Sequence, residues 1–297
     1  MASASGVLAV CWNRANPKPS VHGSNGPHPH TTKEINVFQR FVTAMILLPP
    51  VLAALWVGGV WWTLLILAIS VVAGHEMFTL LNIGGFHPAP YLGMIWIALL
   101  VLHATPVLAI VPLNTLLAGG LIAVFILAMY RIEKPLATWI STSAGAIYLG
   151  VMLGQLAGLR LLTDGFWWVL FALFIAWGND TVAYFVGVTL GKHKMWPRLS
   201  PKKSWEGTVG GWIGAALVGG AIAYFSPLPM SFGAGAAVGA VGGVLALYGD
   251  LSISLVKRQV GVKDSGSLFP GHGGMLDRLD SLLFVFPFIF QIALIWK

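Results

Sequence analysis

The chain has 297 residues, 57% hydrophobic and only 9% charged, against roughly 25% charged in soluble domains, which excludes an ordinary water-soluble globule. Its formal charge of +7 belongs to loops facing a membrane surface, because no interleaving of aromatic and basic residues points to nucleic acid. The single cysteine, Cys11, excludes an internal disulfide framework and any multi-cysteine metal site.

Residues 1–34, with their Pro, Gly, Ser, Asn and His, read as a mobile polar tail. The "GVLAVCW" run within them is too short for a signal peptide and follows no Lys or Arg. Beyond it, apolar stretches dominate. No Asp, Glu, Lys or Arg occurs from Met77 to Tyr130, nor from Gly207 to Gly249. A bilayer span takes about 20 mostly apolar residues, so residues 35–297 read as one all-α, polytopic membrane domain. The expected spans are nine: 37–57, 59–81, 91–107, 110–130, 136–159, 166–190, 208–226, 231–251 and 279–296. Pro49 and Pro50 predict a kink in the first. Pro106 and Pro112 interrupt the third and fourth. Gly210, Gly211 and Gly214 predict close helix packing in the seventh.

Positive charge orients the bundle. With nine spans and a cytoplasmic N-terminus, every Lys and Arg of the 17 except Arg160 and Lys297 falls on the cytoplasmic side. One span more or fewer before residue 130 would part Arg131 and Lys134 from the tail and weaken the bias.

Acids near membrane depth are costly unless paired or metal-bound, so each raises a functional hypothesis. Glu76, Asp180, Asp250, Asp277 and Asp280 qualify, although for Glu76 a snorkelled or ion-paired acid fits equally well. Asp180 sits in an apolar span beside Asn179 and Thr181. The basic loop that follows ends in Ser200-Pro201-Lys202-Lys203-Ser204, where a lysine pair and two hydroxyls lead into a helix start. Such a helix N-terminus suits anionic phosphate. Asp250 closes an uncharged span at "LYGD".

The stretch 257–280 gathers seven charges: Lys257, Arg258, Lys263, Asp264, Asp277, Arg278 and Asp280. Asp277 and Asp280, three apart at a helix start, share one helix face. Two carboxylates there make a hard oxygen site suited to Mg²⁺, with Asp250 as a third acid from a second helix. Arg278 points elsewhere on the helix, toward a phosphate or a neighbouring acid. The loop Pro270-Gly271-His272-Gly273-Gly274 offers backbone N–H groups that approach phosphates closely. His272 suits either a phosphate donor or a loop-stabilising donor; one histidine in a glycine loop favours the structural role.

The pattern Ser254-x-x-Lys257-Arg258-x4-Lys263-Asp264-x-Gly266-x2-Phe269-Pro270-Gly271-His272-Gly273-Gly274-Met275-x-Asp277-Arg278-Leu279-Asp280 resembles the signature of phosphatidate cytidylyltransferases, with no departure across it. "SPKKSWEG" at 200–207 and "NDTVAYFVG" at 179–187 are similar to that family too. The resemblance covers residues 35–297. It implies an all-helical multi-pass fold, commonly dimeric, in a bacterial inner membrane. It also implies a Mg²⁺-dependent site, with room for a second cation, open to the cytoplasm. The reaction implied is CTP plus phosphatidate giving CDP-diacylglycerol and pyrophosphate.

On that reading Asp250, Asp277 and Asp280 hold the metal. Lys257, Arg258, Lys263, Asp264 and Arg278 complete the catalytic cluster, with Lys257, Arg258 and Arg278 holding phosphates beside Lys202 and Lys203. Ser200, Lys202, Lys203, Ser204, Asp180, His272, Gly273 and Gly274 bind substrate, Asp180 at the metal's periphery or on the cytidine side. Competing readings are a CTP-dependent lipid-alcohol kinase, which releases CDP, a related CDP-lipid synthase, and an ion-coupled transporter. The last fits less well, since these acids cluster at one face and do not line several spans at the midplane.

Overall fold

The computed structural model describes residues 37–268 and 273–296. The expected tail 1–34 lies outside the described residues, as does the His272 expectation together with Phe269, Pro270 and Gly271. Among the described residues the order is α1 (Val37–Val57), α2 (Gly59–Ile83), α3 (Pro90–His103), α4 (Leu113–Met129), α5 (Pro135–Leu159) and α6 (Gly165–Thr189). A hairpin of β1 (Lys194–Trp196) and β2 (Ser200–Ser204) follows. Then come α7 (Trp205–Phe225), α8 (Phe232–Gln259), the single turn α9 (Leu276–Leu279) and α10 (Leu282–Ile295).

Each expected apolar segment corresponds to a helix. Five of them, α2, α5, α6, α7 and α8, are long and apolar enough to cross a membrane. The helices α3, α4 and α10 have 14, 17 and 14 residues. At 1.5 Å per residue each falls short of the roughly 30 Å hydrocarbon core. Pro106 and Pro112 lie in the α3–α4 link, where proline ends helices. Pro49 and Pro50 lie inside α1.

Two helix bundles with different chemistry meet around the site. In the first, α2, α3 and α5 pack through large apolar side chains; Phe78 lies over Gly93 and Leu100 over Gly150. The α1–α2 turn is fixed by Arg160. Its Nε donates to Leu55 O at 2.7 Å and its Nη2 to Trp56 O at 3.1 Å, satisfying end-of-helix carbonyls. Gly58 there has φ of +70°, and a side chain on it would strike that guanidinium. In the second bundle, α6, α7 and α8 approach closely along small residues. Gly211 faces Asn179 and Ala183, and Gly239 faces the backbone of Ala215. The small-residue seam was legible in the sequence. α10 runs between the two, packing on α5, α6 and α8.

The chain is not entirely helical, as the expectation had it. The basic loop folds into an antiparallel hairpin pairing Lys194 with Ser204 and Trp196 with Ser200. Pro197 starts its turn, closed by Leu199 N–H donating to Trp196 O at 3.1 Å. Glu206 pins the hairpin base, accepting from His193 N–H at 3.2 Å, with His193 Nδ1 2.6 Å away. The second difference is length: α8 runs to Gln259, beyond the expected end at 251. That extension carries Lys257 and Arg258 in its last turn, where cations complement the helix dipole.

Candidate active site

Residues of α6, the β1–β2 hairpin, the start of α7 and α8 line one cavity of about 570 Å³. From α6 come Asn179 and Asp180, from β2 Lys202, Lys203 and Ser204, and from α8 Asp250, all lining it. The α9–α10 junction is not part of that lining but packs against α8 next to Asp250. Gly249 packs against the carbonyls of Asp280 and Ser281 with no room for a side chain, which brings Asp280 beside Asp250. Ser281 Oγ donates to Asp180 Oδ2 at 3.3 Å, and Asn179 Nδ2 donates to Asp180 Oδ1 at 3.1 Å. Asp280 lies within electrostatic reach of both Asp250 and Asp180. Lys203 Nζ pairs with Asp250 Oδ2 at 2.6 Å, and Ser254 Oγ donates to Asp250 Oδ1 at 3.2 Å. Asp180 and Asp280 thus lie within electrostatic reach of Asp250, the carboxylate that Lys203 pairs with directly.

The expected metal trio is not assembled. Among the described residues, no group of three or more His, Cys, Asp or Glu side chains is arranged to hold a metal ion. Asp277 turns away from Asp250 and Asp280. Its Oδ1 receives Lys257 Nζ at 2.5 Å. Its Oδ2 receives the Ser265 N–H at 2.8 Å, the Gly274 N–H at 2.9 Å and Ser265 Oγ at 3.0 Å. The reason lies in α8. Its added turns put Lys257 seven residues after Asp250, on the same face, and Lys257 reaches Asp277 first. Both side chains of the pair are only 11% exposed.

Lys257 is therefore engaged with Asp277, where the sequence had placed it on phosphate. Arg258 likewise ties α8 to the hairpin, its Nε donating to Leu199 O at 3.4 Å and its Nη1 to Val262 O at 3.3 Å. Ser204 is the N-cap of α7, accepting from Gly207 N–H at 3.2 Å, and its hydroxyl faces the helix start. Ser200 opens β2 in pairing with Trp196. Gly273, at φ +79°, and Gly274 wrap Asp277. Lys263, Asp264 and Arg278 lie at the surface. Lys202 is exposed at the cavity rim.

Sequence reasoning raised Glu76 but gave it no place in the site. It is buried on α2 and accepts from Met275 N–H at 2.8 Å, Leu276 N–H at 2.9 Å and Ser265 Oγ at 2.8 Å. Asn179, Ser265 and Ser281 were missed as well. The available signal was Glu76 itself, the one acidic residue in 25 residues of α2.

Burial raises the affinity of Asp277 for its proton, but the Lys257 ammonium and the Gly274 and Ser265 N–H groups outweigh it and hold this carboxyl below its usual range. The unfolded chain binds this proton more readily than the native one. The stability it contributes is full above the ordinary carboxylate range and is lost as pH falls through the lowered native value. Amide protection factors of residues 261–268 in protein held in nanodiscs, corrected for the intrinsic pH dependence of exchange, are expected to fall on acidification, and Asp277→Asn to remove that fall.

The Cytidylyltransferase family profile matches residues 38–296 of the chain. The chain belongs to this family. Among its relatives, the phosphatidate cytidylyltransferase of Staphylococcus aureus (strain COL) is 34% identical over 256 residues, covering 84% of this chain and 96% of that protein. That of Brucella abortus (strain 2308) is 36% identical over 251 residues, covering 84% of this chain and 90% of that protein. The match spans both helix bundles and includes every segment that lines the cavity.

Proposed function

We propose that this family member transfers the cytidylyl group of CTP to phosphatidate, giving CDP-diacylglycerol and pyrophosphate for phospholipid synthesis. The observation that carries the reading is the meeting of Asp180 and Asp250 with Lys202 and Lys203 around one cavity, with Asp280 within electrostatic reach of both acids. At about 570 Å³ that cavity is within the size range of small-molecule sites. In the reaction a phosphate oxygen of phosphatidate bonds to the α-phosphorus of CTP. The bond from that phosphorus to the α,β-bridging oxygen breaks, and pyrophosphate takes the electron pair. The nucleophile is already anionic, so no general base is required. The chain must instead bring two polyanions together and hold them in line.

Lys202 and Lys203 supply positive charge at the cavity, and Asn179 and Ser281 fix the Asp180 rotamer by their hydrogen bonds. The donor chemistry fits Mg²⁺, which takes one or two carboxylates and completes its shell with phosphate and water. Asp250 and Asp280 are the ligands we assign, with Asp180 next to them; a second cation would share the same carboxylates. When bound, Mg²⁺ supplies neutralisation of the charge that develops on the transferring phosphates.

The reading includes a nine-span bundle in a bacterial inner membrane, a cytoplasmic N-terminus and site, a tail of residues 1–34 outside the membrane domain, and a homodimer. The charge asymmetry of the loops supports the orientation. A reporter fused after Lys203 is expected to read as cytoplasmic, and an external signal would reverse the topology. For the activity, purified protein is given CTP and phosphatidate with and without Mg²⁺. Stoichiometric pyrophosphate and CDP-diacylglycerol are expected only with Mg²⁺. Release of CDP would instead identify a lipid kinase, and absence of both products would overturn the reading.

A further inference from the structure

Glu76 is a buried acid from α2 that reaches the signature loop roughly 200 positions later in the chain. Its two oxygens take three donors, two of them the N–H groups of Met275 and Leu276 at the start of α9. Those N–H groups have no partner within the helix, so Glu76 caps α9 from another helix. The fit leaves no slack. At Gly266 a methyl would come within 2.7 Å of Glu76 Oε1, and at Gly274 it would run into both Glu76 and Ser265. Ser265 then links Glu76 to Asp277, since its hydroxyl lies 2.8 Å from the first and 3.0 Å from the second. Asp277 holds Lys257 of α8. One connected network therefore fixes α9 between α2 and α8. Asp280 follows α9 directly, against Gly249 and beside Asp250.

We propose that Glu76 is a positioning residue for cytidylyl transfer: by capping α9 it sets the register that places Asp280 opposite Asp250. It touches no cavity-lining group and acts only through the loop. The inference rests on the functional reading above.

Glu76→Gln is the sharpest probe. The two side chains match in size, but the amide has one oxygen. Whichever way it is turned, its NH₂ group faces a backbone N–H, that of Met275 or that of Leu276. One buried donor is always stranded. Leaving such a donor unpaired is expected to lower kcat about 30-fold, with the KM for CTP changed less than about twofold. In the full-length protein in nanodiscs, amide exchange should accelerate at residues 274–278, while α7 and α8 stay protected. Ser265→Ala keeps the cap but breaks the link to Asp277, and should cost about fivefold in kcat. A role confined to stability predicts a lower melting temperature with unchanged kcat per folded molecule, and that result overturns the proposal. So does wild-type exchange at 274–278 in Glu76→Gln. If Glu76→Gln does not insert, Glu76→Asp decides, since it keeps the charge but draws the carboxylate back from the Met275 and Leu276 N–H groups: full kcat overturns the proposal, a selective kcat loss upholds it. Wild-type protein that makes no CDP-diacylglycerol refutes the functional reading, whereas the exchange experiment still judges the cap.

Discussion

Asp280→Asn is expected to lose about 10³-fold in cytidylyl transfer, the order seen when a preorganised charge at a reacting centre is removed, with no loss of stability. The geometry gives both halves of that result. Asp280 stands among like charges, within electrostatic reach of Asp250 and Asp180, and its Oδ1 accepts the Ser281 N–H at 2.7 Å. Neutralising it removes repulsion and leaves a side chain that still accepts from Ser281. The melting temperature should hold or rise, as it does where function is maintained against stability. Pyrophosphate release and thermal unfolding, measured on the same nanodisc preparation, check both. An Asp280→Asn protein that turns over normally would remove Asp280 from the proposed metal ligands. One that melts early would make it a structural acid.

Asp277→Asn should lose activity by a different route. Its carboxylate compensates Lys257, and both side chains are 11% exposed. Breaking a buried pair on one side leaves an uncompensated charge and costs about 3–5 kcal/mol. This variant should therefore melt earlier as well as turn over slowly. Adding Lys257→Met removes the stranded ammonium and should recover most of the melting temperature, because an apolar replacement of a buried pair is often neutral. The two aspartates, three residues apart and alike in sequence, are thus expected to separate in a thermal melt. If Asp277→Asn keeps its melting temperature and loses only Mg²⁺-dependent turnover, Asp277 joins the proposed metal ligands and the ion pair with Lys257 is secondary.

The contrast between those two residues shows where sequence reasoning stops. Spacing put Asp277 and Asp280 on one helix face and made them a pair. That inference assumed a helix long enough to present a face. The helix α9 is one turn, Leu276–Leu279, clamped between Glu76 and Lys257, so the partners on either side decide what each acid does. Lys257 and Arg258 show the same effect. Their charge was read as available to phosphate, but α8 extends through them and gives each a protein partner, Asp277 for one and the Leu199 carbonyl for the other. By contrast, the Lys202–Lys203 pair and Asp180 do line the cavity, and the motifs that contain them marked the right segments.

Local composition determined much by itself. In lipid the backbone must satisfy its own hydrogen bonds, which leaves helices or closed barrels, and long unbroken apolar runs exclude the short alternating strands of a barrel, so the helical segments and their order were written in the sequence. The glycine-rich seam of α7, the proline breaks between α3 and α4 and the family signature were equally local. What only the tertiary structure decided were pairings between distant residues. Glu76 meets Met275, Asp180 meets Ser281, and Lys203 meets Asp250. Periodicity says which face a residue is on but not which helix lies opposite. A carboxylate's role follows from whichever donor, cation or like charge the packed bundle places within a few ångströms of it.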